Sequence, residues 1–186
     1  MDTDGARPID DLSGVEVAYG LLVGSLSGIS DADAREPSRL PGWSRGHVLS
    51  HLARNADSQT RMVEGALRND VLDQYPGGDE ERAADIEAGA HRPVEALLVD
   101  LYASQQRLFD AWAQVPDDAW DRLTNARAGA RPVRNGVQSR WREILVHLVD
   151  LDVGFGPDQL PANYLKRDAD WLLEHRTQAT WPDAPW

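Results

Sequence analysis

The 186-residue chain contains no cysteine. Disulfides and Cys-ligated metal sites are excluded, so any metal must be held by histidine and carboxylate. Thiol chemistry would need a thiol supplied from outside. Basic residues are also scarce: 19 Lys and Arg stand against 31 Asp and Glu, for a formal net charge of -12. That balance argues against nucleic acid or an anionic membrane as the main partner, because both reward clustered cations. No apolar run approaches membrane-spanning length, and the acidic start MDTDGARPIDD is no signal peptide. Nothing repeats and no segment is low-complexity. The expectation is a soluble cytoplasmic protein of one domain with a proper core.

What the chain does have is helical rhythm. Between Pro8 and Leu26 apolar residues fall at Ile9, Leu12, Val15, Ala18, Leu21, Leu22 and Leu26, a period near 3.6. DADAREPSRLPGW follows as a loop. Ser44 stands where a helix N-cap would, and Val48, Leu52, Ala56, Val63 and Leu67 carry a second helix. RNDVLDQYPGGDE reads as loop, closing on a short helix from Arg82 to Glu87. Pro93 suits a first helical position before a third long helix through Trp112. Residues 116–137 are polar, rich in Gly, Pro and Arg, and read as an irregular excursion; so long a loop is more often functional than idle. Gln138 to Leu151 forms the most hydrophobic helix, and a last amphipathic piece runs from Ala162 to Gln178. Four long helices without confident strands predict an all-α four-helix bundle with a long irregular loop between its third and fourth helices.

The helix WREILVHLVDL is apolar over most of its circumference, so its polar stripe must face partners or a cavity. On that stripe Glu143 lies about 40 degrees from His147, Asp150 about 60 degrees and Arg140 about 20 degrees on the other side. Glu143 and His147, four residues apart, can reach one metal ion. In the stretch WSRGHVLSHLARN, residues 43–55, two histidines are also four apart. His51 lies at the edge of that helix's apolar arc, whereas His47 sits about 40 degrees further toward solvent. His51 can therefore look into a bundle cavity, and His47 is expected as a solvated first-turn residue. His51, Glu143 and His147 together suit a divalent ion, Zn2+ foremost, with a fourth position open. The alternative is an ordinary hydrogen-bonded polar cluster.

At these residues the chain resembles a known family. LPGWSRGHVLSHLARNAD, YPGGDEERAADIEAGAHRPVEALLVDL and SRWREILVHLVDLDVGFG are similar to the N-terminal metal-binding domain of mycothiol-dependent maleylpyruvate isomerases, within the DinB-like four-helix bundles. The resemblance covers roughly residues 10–178 and implies zinc ligands at His51, Glu143 and His147. It also implies mycothiol, the actinobacterial cysteine-containing thiol, as cofactor. Its sulfur would occupy the open zinc position as thiolate and attack a small electrophile, as in isomerisation of maleylpyruvate or thiol S-transfer. The implied partners are a small-molecule thiol and substrate, with a homodimer open.

Full-length family isomerases carry a second, C-terminal domain with a catalytic arginine. This chain reaches Trp186 where that domain would begin, so the expected organisation is a bundle over 1–180, a tail over 181–186 and no second domain. A non-catalytic metal-binding bundle and a thiol-independent metal hydrolase are the alternatives. Asn55 shares the stripe of His51 and can bond a ligand or thiol, or else tie helices together. Arg54, Arg82 and Arg140 are candidates for pairing with ligand carboxylates, against a background of surface salt bridges. Asp150 can orient an imidazole. His91 and His175 receive no role.

Overall fold

The computed structural model describes residues 7–175. Four long helices, α1 (Ile9–Ser25), α3 (Arg45–Leu67), α5 (Val94–Ala113) and α6 (Val133–Asp150), form the bundle. Three shorter ones accompany them: α2 (Asp31–Arg35), α4 (Gly78–Ala90) and α7 (Ala162–His175). A small antiparallel hairpin, β1 (Leu123–Ala126) with β2 (Gly129–Pro132), and single 3-10 turns at Asp117–Ala119 and Pro157–Gln159 complete the described structure. None of the described helices is long and apolar enough to cross a membrane.

Helix α3 occupies the middle and packs against α4, α5 and α6, while α6 also lies along α1. The shared core is built from Val15, Ala18 and Leu22 of α1, Val48, Leu49, Leu52 and Ala56 of α3, Leu97, Leu101, Leu108 and Trp112 of α5, and Val137, Ile144, Leu145 and Leu148 of α6. Each fully buried Leu or Ile contributes about 1.5–3 kcal/mol relative to exposure, so this one cluster dominates the stability.

The start of α3 fixes the site's geometry. Ser44 is the N-cap: its hydroxyl accepts from the backbone N–H of His47, and the Nδ1 of His47 accepts from the backbone N–H of Ser44. Histidine here plays the reciprocal part that Glu or Gln takes in the usual capping box. At Gly46 the backbone of α3 comes so close to the end of α4 that a β-carbon would collide with the carbonyl oxygen of Ala90. Gly89 meets the hydroxyl of Ser50 in the same way. The two glycines therefore set the α3–α4 crossing.

Several sequence expectations change. The excursion over residues 116–137 is not irregular: it contains the hairpin, and α6 begins at Val133 rather than Gln138. The strands have four residues each and only Thr124 and Ala126 are buried, which leaves too short an alternation to read. The helix expected over Arg82–Glu87 is the whole of α4, and DADAR forms α2 behind a Ser30 capping box. Pro93 is the N-cap of α5, not its first residue, and the carboxylate of Asp31 accepts from the N–H of Val94 at 2.6 Å. The predicted end of the last helix at Gln178 and the tail over 181–186 lie outside the described residues.

Replacing Gly46 with Ala is expected to destabilise the fold by about 1–3 kcal/mol, because the crowding atom belongs to the backbone and cannot swing aside. Chemical denaturation monitored by circular dichroism measures this directly.

Candidate metal centre

Two helices deliver three convergent ligand groups. His51 comes from the second turn of α3, and Glu143 and His147 lie one turn apart on α6. The Nε2 of His51 is 3.0 Å from an oxygen of Glu143, and the Nε2 of His147 is 3.4 Å from the same oxygen. The two imidazoles meet edge to face with centroids 4.8 Å apart. One donor atom from each of the three residues falls within 4.8 Å of the others. Both histidines are buried, 3 % exposed each.

The electrostatics follow from burial and from the shared carboxylate. Desolvation draws the His51 pKa down to about 4, only partly offset by the hydrogen bond and charge of Glu143. His147 is desolvated as well, yet its bonds to Asp150 and Glu143 outweigh burial and hold its pKa up at about 9. Burial disfavours ionised Glu143, but the hydrogen bonds from His147 and His51 prevail and keep its carboxyl well below the ordinary range. The Nδ1 of His147 lies 2.9 Å from a carboxylate oxygen of Asp150. Such a bond fixes the tautomer that leaves Nε2 free to ligate. Two imidazoles, one carboxylate and an orienting second carboxylate are a donor set that fits a divalent ion of zinc type.

Beside the three ligand groups opens a cavity of about 480 Å³. Its wall includes His51, Asn55 and Glu143 of the bundle, Tyr75 and Arg82 from the α3–α4 region, and Arg127 and Arg131 of the hairpin. The hairpin is seated there by Gln74, whose backbone N–H donates to Asn125 and whose side chain accepts from the N–H of Arg127. Arg127 pairs with Asp79 at 2.7 Å. Neither Arg82 nor Arg131 has a carboxylate partner among the described residues, and the Nε of Arg131 is buried without an acceptor. Arg82 places Nη2 3.3 Å from the Nδ1 of His51 and its guanidinium 5.8 Å from the centre of the Tyr75 ring.

The sequence candidates separate accordingly. His51, Glu143 and His147 meet, Asp150 stands behind His147, and Asn55 and Arg82 line the cavity. The Oδ1 of Asn55 is already taken by Arg140 and Gln59, so only its amide group remains for a ligand. Arg54 is not on the cavity wall: it pairs with Asp57 and with Asp100 of α5. Arg140 is 0 % exposed, out of any ligand's reach. It donates to Gln105 of α5 and to Asn55 and the Leu52 carbonyl of α3, each at 2.9 Å. Burial pulls its pKa down to about 10, opposed by the charge of Glu143, so it remains a cation at neutral pH.

His47 is not solvated as expected, because α4 extends further than the sequence indicated and covers it; it is 9 % exposed. The side chain of His175 lies outside the described ones. Residues absent from the sequence candidates, Tyr75, Arg127 and Arg131, are in segments read as loop, and the arginine richness of residues 116–137 was the available signal.

A helical bundle with a buried cluster of two histidines and a glutamate beside an arginine-lined cavity defines the class of protein. Residues 20–152 match the family described as mycothiol maleylpyruvate isomerase N-terminal domain, and the chain belongs to that family. It is similar to the crystal structure of a mycothiol-dependent maleylpyruvate isomerase at 26 % identity and a TM-score of 0.81. A histidine-to-alanine mutant of that isomerase gives the same identity with a TM-score of 0.80. Each match covers 84 % of this chain but 65 % of the other, so the chain spans about two thirds of those proteins' length. No curated protein matches.

Substituting Arg140 with Leu is expected to cost about 2–4 kcal/mol of stability, since buried acceptors on two helices lose their donor. Urea denaturation reads the loss. Arg54→Leu, which removes a partly exposed pair, is expected to cost under about 1 kcal/mol.

Proposed function

We propose that this bundle is the metal- and thiol-binding part of a mycothiol-using enzyme that acts on a small electrophile bearing a carboxylate. The reading is carried by the convergence of His51, Glu143 and His147 next to a cavity whose wall holds two guanidiniums without carboxylate partners. A divalent cation held by those three groups would lower the pKa of a thiol at its open position, and the thiolate is the nucleophile. With no cysteine in the chain, that sulfur comes from outside.

The protein's own residues prepare the rest. When an ion displaces the Nε2 proton of His147, Asp150 would keep the remaining proton on Nδ1 and leave the Nε2 lone pair as the donor. His51 needs the same tautomer, with its proton on Nδ1, where Arg82 now sits as a donor. With a cation held at Nε2 of His51, Nδ1 would be protonated and no longer an acceptor for Arg82, whose guanidinium would then be available to the cavity. Arg131, whose pKa is lowered by burial despite the opposing charge of Glu143, gains from an anion that replaces lost solvation. The pair can grip a substrate carboxylate with the planar geometry that guanidinium offers. The amide of Asn55 is placed on the same wall for a neutral acceptor.

The product class is isomerase-like or S-transferase. Purified protein, desalted to remove weakly held metal, is expected to keep about one tightly bound zinc per chain, lost in His51→Ala, by elemental analysis. With mycothiol supplied, Arg131→Ala is expected to lower kcat/KM for a carboxylate-bearing electrophile such as maleylpyruvate by about 10–100-fold, mainly through KM. Equal loss with an uncharged electrophile would contradict the role given to Arg131. Turnover without thiol would instead identify a hydrolase, and zinc binding without turnover on any electrophile a binding protein.

A further inference from the structure

A second group of metal-ligating side chains lies outside the candidate centre and its cavity. The Nε2 of His47, at the start of α3, is 3.1 Å from one oxygen of Glu87, and the Nε2 of His91, just past the end of α4, is 3.1 Å from the other. The imidazoles are edge to face at 5.4 Å. One donor atom from each of the three residues lies within 4.8 Å of the others. Zinc bonds to N and O of about 2.0–2.2 Å in a tetrahedron place neighbouring donors about 3.3–3.6 Å apart, so small side-chain shifts suffice to admit the ion.

The backbone holds the two helix ends in place. Gly46 and Gly89 permit an α3–α4 approach that a β-carbon would prevent; Gly46 immediately precedes His47, and Gly89 stands two residues from both Glu87 and His91. His47 is immobilised: it stacks against Trp43 with the rings 27 degrees from parallel. Its Nδ1 is 2.7 Å from the Ser44 hydroxyl, which can accept the Nδ1 proton and so leave the Nε2 lone pair for a ligand role. That tautomer gives up the bond from the Ser44 backbone N–H to Nδ1, so the ion competes with half of the capping box.

We propose that His47, Glu87 and His91 form a second divalent-cation site of zinc type, a clasp fastening the end of α4 to the start of α3. Glu87 and His91 are mostly exposed, 65 % and 68 %, so the remaining coordination positions face water. Ordering those side chains makes the clasp weaker than the buried centre. Its effect reaches the cavity through α4, which also carries Arg82 against His51.

The test is zinc titration of the metal-stripped full chain, read by calorimetry and by thermal unfolding, alongside His51→Ala, His91→Ala and Glu87→Gln. Two zinc equivalents are expected for the wild-type chain. The weaker one should lose at least about tenfold in affinity in His91→Ala and Glu87→Gln, and it should persist in His51→Ala. Both surface variants should keep the wild-type circular dichroism spectrum and the tighter equivalent. A single equivalent lost in His91→Ala but retained in His51→Ala would support the clasp and overturn the buried centre. A single equivalent lost only in His51→Ala, or a second one indifferent to both surface variants, would overturn the clasp. No zinc bound at all would overturn both sites.

Discussion

A guanidinium with no exposure to solvent, that of Arg140, sets how the helices stand relative to one another. It reaches α3 at Leu52 and Asn55 and α5 at Gln105, and every one of those acceptors is uncharged. A buried cation so placed tolerates little sliding, because a shift of one residue along α6 would strand it and three acceptors at once. Glu143 follows Arg140 by three residues, and His51 precedes Leu52 by one. The bonds that Arg140 makes through Nε and Nη1, its Nη2 being buried without an acceptor, therefore also bring Glu143 opposite His51. Apolar packing makes the bundle stable, but it is this polar knot that gives α3 and α6 one register.

Helix identity was legible because each long helix buries one continuous arc. Ser44 as N-cap and the runs ending at Leu67 and Trp112 agree with α3 and α5 to within a residue or two. The convergence of His51, Glu143 and His147 was legible for the same reason: a polar stripe on an otherwise apolar helix has to face something polar inside. What one helix's periodicity omits is the neighbour that covers it. His47 lies on the solvent side of its own helix, yet α4 closes over it. Arg140 shares the stripe of Glu143 and His147, yet it points between helices rather than into the cavity. The hairpin was hidden differently, by strands of four residues whose exposed Leu123 and buried Thr124 run against simple patterning. The family relationship, through residues 20–152, supplies the fold and leaves those local assignments to the structure.

The division of chemistry across the chain is uneven. The three convergent side chains stand on the bundle helices α3 and α6, whereas the guanidiniums of Arg82, Arg127 and Arg131 come from α4 and the hairpin. In a protein of net charge -12, most described arginines meet carboxylates or backbone carbonyls. A wall that keeps two of them clear of carboxylates maintains a local positive field against the overall charge, and low-dielectric surroundings concentrate it.

The hairpin has one further consequence. Its second strand ends on Pro132, which is also the N-cap of α6, and its turn has only two residues, Arg127 and Ala128. Wall and ligand helix are therefore one uninterrupted length of chain, joined without a linker. Substitutions in eight strand residues and two turn residues can recut the shape and charge of the cavity while His51, Glu143 and His147 keep their places on α3 and α6. The bundle is in that sense a fixed tool-holder, and the hairpin its exchangeable jaw. What the cavity can accept is thereby set by a segment that contributes little to the core.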